Sequence, residues 1–117
     1  MALVTEGSRI DDAVVLRVSG RVDGDTAREL DQACEKSLTP ADRNLILDFT
    51  EVSQVTSAGL SSVLRAGKGI DRQGGRLLIC GLSSRIKRLF VFSGFDAVFL
   101  MFDTLNEALA DCRSRNS

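Results

Sequence analysis

Apolar residues along this chain recur with two different periods. Leu3 to Ser8 and Ala13 to Ser19 are short Val- and Leu-rich runs divided by Ile10-Asp11-Asp12, a pattern that reads as a β-hairpin. Gly20 to Asp25 then breaks the strand. Ala27, Leu30 and Cys34 fall on one helix face, with Asp25 or Thr26 in place to cap it. Thr26-Ala27-Arg28-Glu29 also fits a capping box, and Leu38-Thr39-Pro40 ends this helix. Leu45 to Phe49 is almost wholly apolar, as a strand covered on both faces should be, and Glu51 to Thr56 reads as a short polar loop. Leu60, Val63, Leu64 and Gly67 stand at i, i+3, i+4 and i+7, which predicts a helix from Ser57 to about Arg72, closed by Gln73-Gly74-Gly75. Arg76 to Cys80 is a strand, Ser83 or Ser84 opens a helix reaching Phe92, and Val98 to Phe102 is a short final strand. Thr104-Leu105-Asn106-Glu107 is a capping box for a last helix, on which Leu105, Leu109 and Cys112 share a face.

Strand and helix alternate after the opening hairpin, so the expected fold is α/β: a mixed, mostly parallel sheet with about four helices and right-handed crossovers. At 117 residues one domain is expected over 1–117, with its core at about 3–110 and Cys34, Leu60, Leu64, Leu89 and Leu109 among the core residues. The loops after Ser19, Phe49 and Cys80 all leave carboxyl ends of parallel strands. Asp23, Ser57 and Ser83 are therefore expected as neighbours on one sheet edge, where α/β proteins place their sites.

Fifteen basic residues against sixteen acidic leave a net charge of −1, without the basic excess of a nucleic-acid or anionic-membrane binder. Arg85, Lys87 and Arg88 form a short basic cluster that reads as a solvated helix face. Three cysteines, Cys34, Cys80 and Cys112, are an odd number without C-x-x-C spacing and fit reduced core positions rather than a disulfide or metal site. No basic-then-apolar leader and no apolar run near the ~18–20 residues of a membrane span is present, so a cytoplasmic protein is expected. The chain has no histidine, which removes Ser-His-Asp and Cys-His catalysis and H-E-x-x-H metal sites together. Val55 breaks a G-x-S-x-G elbow, and Gly67-Lys68-Gly69 matches no P-loop. Asp23-Gly24-Asp25 begins like a calcium loop, but Ala27, Arg28 and Cys34 then occupy ligand, glycine and glutamate positions. Asp23 and Asp25 read by default as turn and cap residues. No cofactor, metal or catalytic residue is expected.

One candidate site remains. Ser57 stands where a helix must begin, and Ala58 and Gly59 leave its hydroxyl open. Unpaired N–H groups and the macrodipole would accommodate a phosphate there, although a serine at such a place is also an ordinary N-cap. The segment Leu45 to Leu64, with Thr56-Ser57-Ala58-Gly59-Leu60 at its centre, resembles the signature of the STAS family, the sulfate transporter and anti-sigma factor antagonist domains, in its soluble bacterial form. Gly20-Arg21-Val22-Asp23 is similar to the Gly-x-x-Asp turn of that family. Ile79-Cys80-Gly81-Leu82-Ser83 through Leu89-Phe90-Val91-Phe92-Ser93-Gly94-Phe95 is similar to its later strand, helix and Ser-Gly corner. The order and spacing of these pieces over Leu3 to Leu109 make the set specific. Two positions depart from the family pattern: Thr56 replaces an Asp that often precedes the phosphoacceptor serine, and Ala58 replaces a second hydroxyl.

The resemblance implies an anti-sigma factor antagonist that binds an anti-sigma factor with serine kinase activity, and so frees a sigma factor. Phosphorylation of Ser57 by that kinase would switch binding off, and a phosphatase would restore it. Asp23, Thr56, Ser57, Ala58, Gly59 and Leu60 are the implied contact residues. The alternative class is a constitutive STAS interaction subunit, scaffold or transporter-associated, in which Ser57 is only a cap.

Overall fold

The computed structural model describes residues 3–116. Strands β1 (Val4–Ile10) and β2 (Ala13–Val22) form the hairpin, with Ile10 opposite Ala13 across a two-residue turn in which Asp11 takes φ +53°. Helix α1 (Ala27–Ser37), strand β3 (Asn44–Val55), helix α2 (Ser57–Arg72), strand β4 (Arg76–Cys80) and helix α3 (Ser84–Phe92) follow. A 3-10 turn (Phe95–Ala97), strand β5 (Leu100–Phe102) and helix α4 (Leu105–Asn116) complete the described chain. The sheet order is β1-β2-β3-β4-β5, antiparallel between β1 and β2 and parallel elsewhere. No described helix is long and apolar enough to cross a membrane.

The period of two along β2, β3 and β4 divides the core. Val14, Leu16 and Val18 of β2, Leu45, Leu47 and Phe49 of β3 and Ile79 of β4 pack with Leu30, Cys34, Leu60, Val63, Ile70, Ile86 and Phe90 of α1, α2 and α3. Ala13, Val15, Ile46, Leu78 and Cys80 face the other way, onto Ala108, Leu109 and Cys112 of α4. Burial on both faces is what the continuous apolar run Leu45 to Phe49 requires. All three cysteines are buried and unpaired. Leu64 and Leu89, expected inside, are only partly buried and pack against the edge of the larger cluster.

Three local expectations change. Glu51 to Thr56 is not a loop, because β3 runs on to Val55 beside β2. The ladder pairs Ser19 with Glu51, Gly20 with Val52, Arg21 with Gln54 and Val22 with Val55, so Ser53 is an extra residue on β3. That bulge spaces the two buried valines three apart and hides the strand's alternation. Gly20 does not end β2 either; it takes φ +108° within the strand and accepts from the Ser53 hydroxyl at 3.2 Å. Finally, strand β5 is shorter than Val98 to Phe102, the 3-10 turn having taken up the preceding chain.

The capping boxes divide. At α4 the box forms as the sequence suggests: Glu107 N–H donates to Thr104 Oγ1 at 3.2 Å, and Glu107 Oε1 accepts from Thr104 N–H at 3.2 Å. At α1 it does not. Glu29 Oε2 instead accepts from the Leu3 N–H at 2.9 Å, tying the first described residue to the helix.

Candidate functional site

Strand β3 passes into α2 with a single residue between, Thr56. Thr56 is extended (φ −105°, ψ 177°) and its hydroxyl accepts from the Gly59 N–H at 3.5 Å, while its carbonyl accepts from the Leu60 N–H at 2.9 Å. The cap is therefore Thr56, and Ser57 is the first helical residue. This settles what Thr56 does in the place of an aspartate: it supplies the oxygen that the helix start needs. Ser57 is exposed, as are Ala58 and Ser61, and its hydroxyl is left out of the cap. The N–H groups of Ser57 and Ala58 have no intrahelical partner by their position, and the first turn carries no acidic residue. An anion on Ser57 thus meets the positive end of a 16-residue helix, unopposed from within the helix.

The turn after β2 is fastened to this helix start. The Thr56 N–H donates to the Val22 carbonyl at 3.0 Å. At Gly59 a β-carbon would lie 2.2 Å from that same carbonyl oxygen, so no other residue lets the helix approach so closely. A β-carbon at Gly24 would stand 3.8 Å from that of Ala58. Asp23 and Ser57 are thereby brought onto one surface, as the topology implied.

Asp23 builds the turn. Its Oδ1 accepts from the N–H of Asp25 at 3.0 Å and of Thr26 at 3.2 Å, and its carbonyl accepts from Ala27 at 2.9 Å. Of the two expected caps, Asp25 and Thr26, it is Thr26 that holds the N-cap position, but its side chain does not cap: buried, its hydroxyl donates to the Arg21 carbonyl at 2.6 Å and accepts from the Asp23 N–H at 3.0 Å. Partial burial would raise the Asp23 pKa, but the donors from Asp25 and Thr26, with Arg21 NH2 at 3.5 Å from Oδ2, outweigh it and hold the group below its ordinary value. Asp23 is an anion at neutral pH, beside the place where a second anion would form.

Ser83 does not join this surface. It caps α3, accepting from the Ile86 N–H at 3.3 Å, and leaves the sheet where β4 ends opposite Asp48, whereas β3 continues to Val55. Gly81, at φ +77° against Thr50, turns the chain out at that lower level. Gly59 and Leu60 are buried, so among the residues singled out the accessible ones are Asp23, Thr56, Ser57 and Ala58, the first and second only in part.

Sequence reading missed Ser62. It is fully buried and donates to Asp31 Oδ1 at 2.6 Å, with the Ala27 carbonyl at 3.1 Å, while Asp31 also pairs with Arg65 at 3.0 Å. This bridge holds α1 against α2 behind the site. Its signal was the stripe Gly59, Ser62, Val63 and Ile70, which places a hydroxyl on the buried face. The cysteines offer no nucleophile. Burial, and then Asp31 and Glu35, push the Cys34 thiol up to about 12; burial and then Asp48 do the same to Cys80.

The STAS domain family matches residues 6–108. The chain belongs to the STAS family. Among curated relatives, the anti-sigma-B factor antagonist of Listeria monocytogenes is 32% identical over 90 residues, covering 77% of this chain and 79% of that protein. Among solved structures, an anti-sigma factor antagonist from Mycobacterium paratuberculosis superposes with a TM-score of 0.86 at 25% identity, covering 95% of this chain and 94% of that one. The Bacillus cell fate determinant SpoIIAA in its phosphorylated form shares the fold, with a TM-score of 0.70 at 21% identity over 92% of this chain and 97% of that one. In the STAS frame, the described strand, cap and helix start are the elements that the sequence likeness picked out.

Proposed function

We propose that this STAS protein is an anti-sigma factor antagonist, regulated by phosphorylation of Ser57. In the unphosphorylated state the surface around Asp23, Thr56, Ser57 and Ala58, shaped from beneath by Gly59 and Leu60, binds an anti-sigma factor with serine kinase activity and so frees a sigma factor. The kinase transfers the γ-phosphoryl group of ATP to the Ser57 hydroxyl, ADP leaves, and the complex separates. A phosphatase returns the protein to its binding form. The observation that carries this reading is the division of labour at the start of α2: Thr56 caps, which leaves Ser57 exposed with its hydroxyl unspent. The relatives named as anti-sigma factor antagonists support the partner class.

Two effects decide how the switch works. The helix terminus favours a phosphate by roughly 0.3–1 kcal/mol, so the domain stays folded. A docked partner would have to cover about −1.5 to −2 charges beside ionised Asp23. A charge buried without its partner costs about 3–5 kcal/mol, which is the larger effect. Incubation with the cognate anti-sigma kinase and ATP, followed by intact-mass and fragment analysis, tests the reading: one phosphoryl group on Ser57 supports it. Unmodified protein that still binds the kinase would leave a constitutive interaction subunit in its place.

A further inference from the structure

Helix α3 buries Ile86 and Phe90, and its opposite side is polar from Ser84 to Arg88, as a surface helix usually is, but turns apolar in the last turn. Phe92 is 91% exposed and its neighbour Val91 46%. Core contact does not require Phe92: its neighbour Phe90 supplies the edge-on ring contacts to Phe49 and Phe95, at centroid distances of 6.4 and 5.5 Å. Scattered exposed valines need no explanation. A phenylalanine almost wholly in water beside a half-exposed valine does.

The charges around it are also unspent. Arg9, Arg17, Arg21, Arg65, Arg76, Arg113 and Arg115 each pair with an aspartate. Arg85 and Arg88, like Arg28, Arg43 and Arg72, form no ion pair among the described residues, and Lys87 reaches only the exposed Asp103 at 3.9 Å. Helical spacing sets Arg88 beside both Ser84 and Phe92, and Arg85 beside Arg88. Ser84, Lys87, Arg88, Val91 and Phe92, all on α3, border a shallow, wide-open surface depression of about 530 Å³. The exposed apolar side chains, Val91 and Phe92, sit in the last turn of the helix, beyond Ser84, Arg85, Lys87 and Arg88 on the same side.

We propose that this face of α3 is a docking surface for an acidic, amphipathic helical segment of a partner protein, which sets an apolar side chain against Phe92 and carboxylates against Arg85 and Arg88. Arginine and aromatic residues are the side chains that binding surfaces favour, and a helix laid along such a face meets it at i, i+3, i+4 and i+7. A second copy of the chain is disfavoured, since a symmetric contact would oppose like charges. A flat anionic bilayer is disfavoured too, because the exposed Asp103, 3.9 Å from Lys87, would face its charge, whereas a narrow segment can leave that carboxylate in water.

The test is an amide-shift titration of the isotope-labelled protein with a synthetic helical peptide bearing leucines at i, i+3, i+4 and i+7 and glutamates elsewhere. Shifts should centre on residues 85–92, and a peptide with Gln for every Glu should bind roughly tenfold more weakly, as the loss of two or three exposed ion pairs implies. Phe92→Ser, and separately Arg85→Glu with Arg88→Glu, should abolish the response while the thermal midpoint stays unchanged. Shifts centred elsewhere, equal binding of the Gln peptide, intact binding by Phe92→Ser, or no response at millimolar peptide would each overturn the proposal. Phe92-dependent sedimentation with phosphatidylglycerol vesicles, or Phe92-dependent dimerisation, in place of the peptide response would assign the patch to a membrane or to self-association instead.

Discussion

Val22 and Gly59 meet without a side chain between them. The Val22 carbonyl takes the Thr56 N–H at 3.0 Å, and a methyl group on Gly59 would press to 2.2 Å of the same oxygen. The end of β2 and the start of α2 are thus one rigid unit, and the candidate contact surface inherits its shape from that junction. Because the obstacle is backbone, it cannot rotate away.

Gly59→Ala is therefore expected to destabilise the protein by about 1–3 kcal/mol, the range for forcing a methyl group into a filled site, even though alanine is the better helix former. Chemical denaturation should show a lowered midpoint with an unchanged slope. An unchanged or raised midpoint would mean that the junction is looser than the geometry shows.

The two hydroxyls at the helix start should separate in the same assay. Thr56→Ala removes the cap and should cost about 1 kcal/mol, within the 0.5–2 kcal/mol range for such caps. Ser57→Ala, at an exposed first helical position, should stay within about 0.5 kcal/mol of the parent. Equal losses would mean that Ser57 shares the capping role.

Much of this site was legible in the sequence, and the parts that were not share a physical cause. Ser57 could be located because Leu60, Val63 and Gly67 fix the helix register and an apolar strand precedes it. Its exact place, one residue inside the helix, could not, since both Thr56 and Ser57 can cap, serine even the more readily, and the backbone turn chooses Thr56. The strand reaching Val55 was hidden because a bulge at Ser53 breaks the period of two, and a bulge is a pairing event between strands rather than a local preference. Glu29 satisfied the pattern of a capping box but found the Leu3 N–H, a partner 26 residues away that no local pattern contains. Asp11, the capping box at Thr104 and strand β4 are set by neighbours in sequence, and there pattern and structure agree.

Asp23 has two duties that different substitutions can separate. Asp23→Asn keeps an oxygen for the N–H groups of Asp25 and Thr26 but removes the charge facing Arg21, so the fold should persist while affinity for the anti-sigma factor falls. Asp23→Ala removes the turn's acceptor as well and should cost about 0.5–2 kcal/mol of stability. Calorimetric titration alongside thermal unfolding distinguishes the two; full affinity in Asp23→Asn would remove the carboxylate from the binding surface.

A further prediction concerns acid. The Arg9 guanidinium hydrogen-bonds both oxygens of Asp42, and Oδ2 also accepts from the N–H of Thr39 at 2.7 Å and its hydroxyl at 3.1 Å. The Arg9 hydrogen bonds contribute most, and with Thr39 they overcome the effect of burial and hold the Asp42 pKa at about 2, below its ordinary 3.8. A group depressed by folding stabilises the native state above its unfolded pKa and ceases to do so as protons bind. Stability owed to Asp42 should be complete above about pH 4 and fade as pH falls through about 2. Asp42→Asn should lower stability at pH 7 and flatten the decline over that acid window; a decline of unchanged steepness would assign acid sensitivity to other carboxylates.

The most direct measurement is the affinity of the protein for its anti-sigma kinase before and after phosphorylation, with Ser57→Ala and Ser57→Asp as companions. The account predicts tight binding by the unmodified protein and by Ser57→Ala, which takes up no phosphate. It predicts a loss of at least about a hundredfold on phosphorylation, the factor expected from about 3 kcal/mol, with the thermal midpoint nearly unchanged. Ser57→Asp should also bind weakly. Phosphate found on Thr56 or Ser61, or a phosphorylated protein that binds as tightly as before, would contradict the switch.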